Sequence, residues 1–351
     1  MLIQAHKMPT MAAINARSKK AKLNAVSFFS GMGGASIGLK MSGYGVRYAN
    51  EFIFAAADAY DLNSGGLKCD RYDIRKVTAK RVLQMSGLKA GEIDLMEGSP
   101  PCKLFTKVKA QDKGEQFKKD GGVYSEGVKQ DVADLFFEFC RILKVLQPKV
   151  FITENVSGLL QNMNRHYFLS ITEALEACGY VVETALLDAS RYGTPQKRER
   201  VVLQGIRKDL YKKGVRHAWP KMHPTTTVKD CLPHISKVFV SKRGYKDADI
   251  PSPTVLAVDH TTTEYARYSS GGWVEDDKGV RRKWTIPELK VVSGVPVDFK
   301  FPKYEDEKPR KRFQRAWERM GRIHGPIQVY YLGKAIREQI FEKHADILKG
   351  I

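Results

Sequence analysis

Residues 25–34 read AVSFFSGMGG, a short apolar run that passes directly into a cluster of glycines. The run 25–29 predicts a buried β-strand, and the stretch after the glycines predicts a helix that ends near residue 43. Glycines in such a turn let the backbone pass close to a ligand, and the helix N-terminus favours a negatively charged group. The turn alone fits nucleotides, flavins and S-adenosylmethionine alike, but its spacing does not match GxGxxG, which disfavours a dehydrogenase.

Short apolar runs recur along the chain at 46–49, 93–96 and 150–153, and each ends in polar or glycine residues. Between the last two, residues 132–146 (VADLFFEFCRILKVL) repeat apolar side chains at helical spacing until Pro148 stops the pattern. Strands that alternate with helices predict a doubly wound α/β sheet. Ligands in such sheets bind at the carboxyl ends of the strands.

The pattern changes at residues 208–281, where β-prone runs such as 238–240 and 254–256 stand among Pro, Gly, Thr and Lys. We interpret this part as a separate small, mostly β domain, and helical periodicity dominates again over 313–348. A length of 351 residues suits two domains. The predicted organisation is a flexible basic arm (1–24), a large α/β domain (25–207), the small domain (208–281) and a segment returning to the large domain (282–351).

The formal net charge of +20 is large for this length, and a polyanionic partner such as nucleic acid is the simplest reason for tolerating it. A generically basic protein is the competing interpretation. No apolar run approaches the ~18 residues of a membrane span, so we expect no membrane association. Five scattered cysteines without a CxxC pair argue against disulfides and a metal site, and favour a cytoplasmic location.

Two acidic residues follow the predicted strands near the glycine turn. Glu51, at the end of the second strand, is placed to accept hydrogen bonds from two ribose hydroxyls, and Asp73 to accept one from an adenine amino group. Each acid alone is more typical of a solvated loop. Together, at successive strand ends, they form a set suited to adenosine.

Five segments, in order, resemble those of the DNA cytosine-5 methyltransferase family. Residues 98–106 (GSPPCKLFT) are similar to its Pro-Cys catalytic loop, 153–156 (TENV) to its Glu-Asn-Val segment and 196–200 (QKRER) to its Gln-x-Arg-x-Arg segment. Residues 29–34 resemble the family's cofactor loop, and 135–138 (LFFE) the helix whose leucine touches the cofactor. One such segment would be chance, whereas five in the family's order would not.

The resemblance implies a Rossmann-like domain that transfers a methyl group from S-adenosyl-L-methionine to carbon 5 of cytosine in double-stranded DNA. Carbon 5 is a poor nucleophile, so the thiolate of Cys102 first adds to carbon 6. Glu154 then binds ring nitrogen 3 and the exocyclic amine, while Arg198 and Arg200 hold the base and the acid. The target base is flipped out of the duplex, and the lysine- and glycine-rich segment 103–129 is interpreted as a mobile lid over the DNA.

The same resemblance assigns further binding residues, and it makes the small domain a target-recognition domain. Cofactor contacts are expected from Phe29, Gly31, Gly33, Gly34, Glu51, Phe52, Asp73, Ile74, Pro100, Leu135 and Arg322. DNA contacts are expected from Lys103, Lys107, Lys109, Gln196, Lys242, Arg243, Arg267 and Arg282. No metal is expected, and the chain is expected to be monomeric.

Several positions depart from the family pattern. Ser27 stands where an aspartate often begins the cofactor strand, and Lys103 where glutamine usually follows the cysteine. Residues 321–326 (GRIHGP) resemble the last family segment, with Arg322 in place of asparagine; residues 333–336 (GKAI) are a poorer candidate. Arg322 is interpreted as a contact to DNA phosphate or to the cofactor's carboxylate, with an extra anionic group on a modified cofactor as a further hypothesis.

Two competing functions share this scaffold. One is a tRNA cytosine-5 methyltransferase, and the other is a non-catalytic DNA-binding protein. The presence of Cys102, Glu154, Arg198 and Arg200 together argues against the second. The recognition sequence, and a role in restriction protection, phage evasion or regulation, do not follow from these residues.

Overall fold

The computed structural model describes residues 2–100, 135–161, 164–240, 244–257, 272–305 and 308–349. Several predictions fall outside these ranges. They concern the predicted lid 103–129 and the residues Cys102, Lys103, Lys107, Lys109, Lys242, Arg243 and Arg267.

A six-stranded sheet forms the centre of the large domain. Its strands are β1 (Leu23–Phe28), β2 (Tyr44–Asn50), β3 (Leu95–Gly98), β4 (Val150–Val156), β5 (Tyr180–Asp188) and β6 (Glu199–Arg207). They lie in the order β2-β1-β3-β4-β6-β5, with β6 antiparallel to both of its neighbours. The predicted α/β fold class is thereby confirmed, since the first four strands are parallel and the chain crosses between them through helices.

Helices cover both faces of this sheet. Those of the large domain are α1 (Met11–Lys19), α2 (Gly34–Ser42), α3 (Phe54–Asn63), α4 (Ala79–Ser86), α5 (Leu135–Leu146), α6 (Arg165–Ala177) and α7 (Lys208–Lys212). Side chains alternate along the strands: Ala25 and Leu95 join one buried cluster, while Val26 and Met96 join the other. The near-continuous apolar runs in the sequence reflect this burial on both faces. None of the described helices is long and apolar enough to cross a membrane.

Strand β4 runs further than its apolar residues predict. The run 150–153 stops at Glu154, yet Glu154 and Val156 continue the ladder against Val202 and Arg200 of β6. A hydropathy pattern ends at the first polar residue, whereas backbone pairing does not depend on side-chain polarity. This extension brings Glu154 and Arg200 onto neighbouring strands at the same edge of the sheet.

A second, antiparallel sheet lies in the region predicted to be mostly β. Its strands are β7 (Ile235–Phe239), β8 (Tyr245–Asp247), β9 (Trp273–Asp276) and β10 (Arg281–Lys283), in the order β10-β9-β7-β8, preceded by the short helix α8 (Val228–Cys231). The β-prone run 254–256 is not a strand. The domain boundaries at 207/208 and 281/282 stay predictions, and β10 extends across the second of them.

The N-terminal segment differs from the flexible arm predicted for residues 1–24. Helix α1 is capped by the Thr10 side chain, and Met11 and Ile14 are buried in the main apolar cluster. The backbone N–H of Met11 donates to the Asp298 carboxylate at 2.9 Å. Buried side chains such as Ala5, Met11 and Ile14 hold this segment once a tertiary surface is present to receive them.

The C-terminal segment is helical, as its periodicity predicts. It contains α9 (Ile286–Val292), α10 (Pro309–Arg322), α11 (Pro326–Ile336), a π-helical stretch (Arg337–Glu342) and α12 (Ala345–Leu348). Gly333, the start of the poorer candidate for the last family segment, lies inside α11.

Helices α2 and α11 approach each other at backbone distance because glycines line the contact. A methyl group added at Gly38 would lie 2.4 Å from the Pro326 carbonyl oxygen and 2.6 Å from Cβ of Val329. One added at Gly34 would lie 2.2 Å from the carbonyl oxygen of His324. These contacts press the start of α11, and the segment before it, onto the glycine-rich turn that follows β1.

Replacement of Gly38 by alanine should therefore destabilise the protein, although alanine is the better helix former by about 1 kcal/mol. The forced separation of two packed helices costs about 1–3 kcal/mol or more, which outweighs the propensity gain. Denaturant unfolding measures the difference. Gly272→Ala is the control, because its methyl group would meet only Trp317 at an ordinary 3.7 Å. Equal or increased stability of the Gly38 variant would contradict this packing argument.

A buried carboxylate joins the small sheet to helix α9. Glu288 receives two hydrogen bonds of 2.8 Å from Arg282 and one of 2.7 Å from His234, and it forms a capping box with Thr285. Burial alone would raise the pKa of Glu288. The hydrogen bonds from Arg282, His234 and Thr285 outweigh burial and lower that pKa from 4.5 to about 2.

Because the folded-state pKa of Glu288 is depressed, its contribution to stability is full above about pH 4.5 and is lost as the pH falls toward 2. Glu288→Gln should lower the free energy of unfolding at pH 7, and the gap to the unmodified chain should narrow by about 1 kcal/mol at pH 4. Glu342→Gln, which removes an exposed ion pair with Arg337, should change stability by less than about 0.5 kcal/mol at either pH. A gap for Glu288 that does not depend on pH would refute the assignment.

Candidate active site

A cavity of about 380 Å³ opens at the carboxyl ends of the parallel strands. Its wall includes the turn after β1, the ends of β2, β3 and β4, the start of β6 and two segments from the C-terminal part of the chain. The predicted site residues that line it are Phe29, Gly31, Gly34, Glu51, Phe52, Ile74, Pro100, Glu154, Arg198, Arg200 and Arg322. Gly33, Asp73, Leu135, Gln196 and Arg282, which were also predicted, do not line it.

The turn after β1 has a backbone that few residues other than glycine adopt. Gly31 and Gly33 have φ values of +55° and +99°, and Phe29 is one of two non-glycine residues with positive φ in the described chain. A Cβ atom at Gly31 would meet nothing within 4 Å, so the backbone there faces open space. Such strain at a cavity wall is typical of a ligand-binding turn. Gly33 instead packs against Tyr60.

Glu51 holds the end of β2 to this turn. One carboxylate oxygen accepts from the backbone N–H of Gly31 at 2.8 Å, and the other from the N–H of Ile53 at 2.7 Å. Glu51 also lines the cavity, where a carboxylate is an acceptor for the hydroxyl groups of a ligand. The geometry is therefore compatible with the predicted contact to a ribose.

The side chains of Asp73 and Leu135 make contacts away from the cavity wall, where a cofactor would be bound. Asp73 caps the short 3₁₀ helix Ile74–Lys76 by accepting from the backbone N–H of Arg75, and it pairs with the Arg75 guanidinium at 3.1 Å. Leu135 is fully buried in the apolar cluster beneath the cavity. Ile74 is the member of the Asp73–Ile74 pair that reaches the cavity wall.

Glu154 and Arg200 form an ion pair inside the cavity, with 3.3 Å between Oε2 and Nε. Both side chains are only 11% exposed. Burial lowers the pKa of the Arg200 guanidinium, while the charge of Glu154 acts in the opposite direction. A carboxyl group held beside an arginine in a site largely shielded from water is well placed for hydrogen bonding to a heterocyclic base.

Arg198 connects the start of β6 to the C-terminal segment. Its Nη2 atom donates to the carbonyl oxygens of Ile323 at 2.6 Å and Gly321 at 3.2 Å. Burial, and next the nearby charge of Arg200, hold the pKa of Arg198 well below its usual range, with Glu154 opposing them. The two predicted arginines therefore differ: Arg200 contacts Glu154, and Arg198 contacts backbone carbonyls.

Gln196 and Arg282 are engaged within the protein. Gln196 is buried, donates to the carbonyl oxygen of Val292 at 3.0 Å and accepts from the N–H of Val255 at 3.2 Å. Arg282 is bound to Glu288. Gln196 thereby holds the segment 254–257 along the cavity, where Ala257 packs against Gly321 so closely that a methyl group on the glycine would not fit.

Three ionisable side chains that line the cavity were not predicted from the sequence: Glu97, His324 and Arg319. An acid inside an otherwise apolar strand, Leu95–Gly98, is the one signal that could have identified Glu97. Its carboxylate accepts from Ser27 Oγ at 2.7 Å and from Ser99 Oγ at 3.1 Å, and Ser99 Oγ accepts from the backbone N–H of Glu154 at 3.2 Å. Hydrogen bonds therefore join the ends of β1, β3 and β4.

Comparisons with known proteins identify the family to which this chain is similar. The family described as C-5 cytosine-specific DNA methylase matches residues 23–243. Type II methyltransferase M.FnuDI of Fusobacterium nucleatum is 31% identical over 79% of this chain and 85% of its own length. M.BsuFI of Bacillus subtilis is 29% identical over 82% of this chain and 67% of its own length.

A solved structure of Spodoptera frugiperda DNMT2 shares the fold. It superposes with a TM-score of 0.62 at 16% identity and covers 90% of this chain and 99% of that chain. The resemblance read from the sequence segments is thereby confirmed, and the chain belongs to the C-5 cytosine-specific DNA methylase family.

Proposed function

We propose that the chain transfers a methyl group from S-adenosyl-L-methionine to carbon 5 of cytosine in double-stranded DNA, through a transient bond from Cys102. The observation that carries this proposal is the buried Glu154–Arg200 pair, which shares one cavity with the strained turn at Phe29 and Gly31. Pro100 also lines the cavity, and Cys102 follows it by two residues in the sequence.

The cavity residues suit the proposed cofactor. Gly31 leaves open space at the turn, and the Glu51 carboxylate lines the cavity as an acceptor for ribose hydroxyls. Phe29, Phe52 and Ile74 offer apolar contacts to a flat base. When bound, S-adenosylmethionine supplies an electrophilic methyl group on its sulfonium. Asp73 can pair with an adenine amino group only if its side chain leaves Arg75. We therefore assign Asp73 a smaller contribution to cofactor binding than Glu51.

Each step of the transfer has a residue of this chain. The Cys102 thiolate adds to carbon 6 of the cytosine, which makes carbon 5 nucleophilic. Glu154 hydrogen-bonds nitrogen 3 and the amino group of the ring, and so stabilises the negative charge that this addition creates. Arg200 orients Glu154, and Arg198 fixes the segment 321–323 behind it. Carbon 5 then takes the methyl group. Its proton passes to solvent, and the thiolate leaves as the double bond between carbons 5 and 6 re-forms.

The proposal that duplex DNA is the substrate is supported by the net charge of the chain and by the names of its relatives. The net charge of +20 favours a polyanion, and both relatives are named type II methyltransferases. The target base must leave the helix to enter so enclosed a cavity. DNA contacts from Lys103, Lys107, Lys109, Lys242, Arg243 and Arg267 remain proposals. Gln196 and Arg282 would serve DNA binding by positioning the wall and the small sheet.

We propose that the enzyme is cytoplasmic and monomeric, since its DNA substrate lies in that compartment. Restriction protection, phage evasion and regulation would use the same chemistry. A tRNA substrate is the second candidate, because the same cavity would accept a flipped cytosine from either nucleic acid.

Substitution of Cys102 by serine should abolish covalent trapping. The unmodified chain should form a denaturant-resistant adduct with a duplex that contains 5-fluorocytosine, because fluorine blocks the loss of the group at carbon 5. Cys102→Ser should form none, and methyl transfer should fall at least about a thousandfold. Cys231→Ala, which changes a buried thiol outside the cavity, should behave like the unmodified chain.

The assay is run with duplex DNA and tRNA in parallel, and radiolabelled methyl incorporation is measured. Transfer to tRNA alone would replace the DNA proposal by its alternative. Undiminished transfer by Cys102→Ser would sink the covalent mechanism.

Removal of the Glu154 carboxylate should slow the reaction without weakening cofactor binding. We expect Glu154→Gln to lower kcat about a hundredfold or more, because the amide is a poor source of the proton and charge that the addition requires. The dissociation constant of S-adenosylhomocysteine should stay within about twofold. Arg200→Lys keeps the positive charge but loses the planar, forked donors of the guanidinium, and it should lower kcat less than Glu154→Gln does.

Glu199→Gln is the matched control, because Glu199 lies beside Arg200 in β6 but does not line the cavity. Full activity is expected for that variant. A Glu154→Gln enzyme with unchanged kcat would show that the acid has no part in the chemistry.

A further inference from the structure

Among the residues that the structure describes, no lysine or arginine pairs with the buried carboxylate of Glu97 at the cavity. The residue is 1% exposed and lines the cavity at the end of β3. Its two hydrogen bonds come from the neutral hydroxyls of Ser27 and Ser99. In the described part of the chain, the one basic group within 4.0 Å of it is the imidazole of His324, with Nδ1 at 3.8 Å.

His324 is a second polar group without a partner at the same place. Its side chain is 7% exposed and lines the cavity, and neither ring nitrogen has a hydrogen-bond partner among the described residues. The backbone oxygen of His324 packs against Gly34 at the start of α2, which fixes the position of this residue at the cavity. A carboxylate without a lysine or arginine partner and an imidazole without a hydrogen bond to the described residues therefore line the same cavity, 3.8 Å apart.

A single kind of ligand group satisfies both. A buried carboxylate is costly unless a positive charge lies beside it, and unpaired imidazole nitrogens lose hydrogen bonds that water would have supplied. An ammonium group carries one positive charge and three donors. It would pair with the open lone pairs of Glu97 and donate to a nitrogen of His324.

The position of Glu97 supports a binding role over a chance burial. Ser27 and Glu97 are register partners on adjacent parallel strands. Ser27 stands where the resemblance predicts an aspartate, so Glu97 supplies from β3 a carboxylate that β1 lacks. Arg322 reaches the same cavity from the segment that carries His324, and a guanidinium near an ammonium site suits an amino-acid zwitterion.

We propose that Glu97 and His324 bind the α-ammonium group at the amino-acid end of the cofactor. This inference rests on the proposed function, since it assumes S-adenosylmethionine in the cavity. Neither Glu97, which directly precedes the segment 98–106, nor His324 is among the cofactor contacts that the family resemblance implies. The opposing possibility is that Glu97 and His324 pair only with each other and contact no ligand.

The first test needs no variant. Binding of three probes to the full chain is measured by isothermal titration calorimetry: S-adenosylhomocysteine, the same molecule with hydrogen in place of the α-amino group, and 5′-methylthioadenosine, which lacks the amino-acid part. Removal of the amino group alone should weaken binding about tenfold or more, the usual size of a charge-assisted contact. Equal affinity of the first two probes would overturn the proposal.

The second test locates the contact. Glu97→Gln should raise the dissociation constant of S-adenosylhomocysteine about tenfold. The dissociation constants of the deaminated probe and of methylthioadenosine should change by less than about twofold. His324→Gln should act in the same direction with a smaller effect. Glu51→Gln is the matched control at the ribose end, and it should weaken all three probes alike. A Glu97 variant that weakens the three probes equally would mean that Glu97 only maintains the cavity.

The outcomes separate this inference from the function on which it rests. If the unmodified chain binds none of the probes, the proposed cofactor is wrong. If it binds all three without regard to the amino group, the cofactor stands and the ammonium site is wrong. Should Glu97→Gln fail to fold in a thermal melt, the probe comparison on the unmodified chain and on His324→Gln decides the matter.

Discussion

The close contact between α2 and the residues around the start of α11 is the constraint on which the site depends. Gly34 and Gly38 carry no side chain, so the backbone of residues 323–330 packs directly on the first two turns of α2. Packed interiors do not deform gradually, and a side chain of any size at these points would displace the segment as a whole. Because His324 lies on that segment and Arg322 directly precedes it, the same contact also brings the C-terminal wall of the cavity to the turn after β1.

A second level of organisation is polar and runs along the sheet edge. Glu97 is bonded to serines at the ends of β1 and β3, Ser99 continues to the backbone of Glu154, and Glu154 meets Arg200 from the antiparallel strand β6. In a site largely excluded from water these contacts are stronger than they would be at a surface, and each unpaired member would be costly. Glu154 is consequently held through its backbone N–H by Ser99 and through its carboxylate by Arg200, in addition to the pairing of its own strand.

The predictions from the sequence succeeded where the signal was local. The strands and helices around the turn at residues 29–34 were anticipated because apolar runs and glycines report burial and backbone freedom directly. The N-terminal arm was predicted incorrectly, since the surface that receives Met11 and Ile14 is built from distant residues such as Asp298. Asp73 was selected for its place after a strand, but the charge of Arg75 that occupies it could not be read from that place.

The sequence by itself determined the family and the α/β class, because ordered segments such as residues 98–106 and 196–200 are properties of the chain alone. Only the tertiary structure decided which side chains share the cavity. It set Arg200 against Glu154 and Arg198 against carbonyls, it buried Gln196, and it brought Glu97 and His324 together from positions more than two hundred residues apart in the chain. Strand register and glycine-mediated helix contacts act over distances in space that no pattern along the chain records.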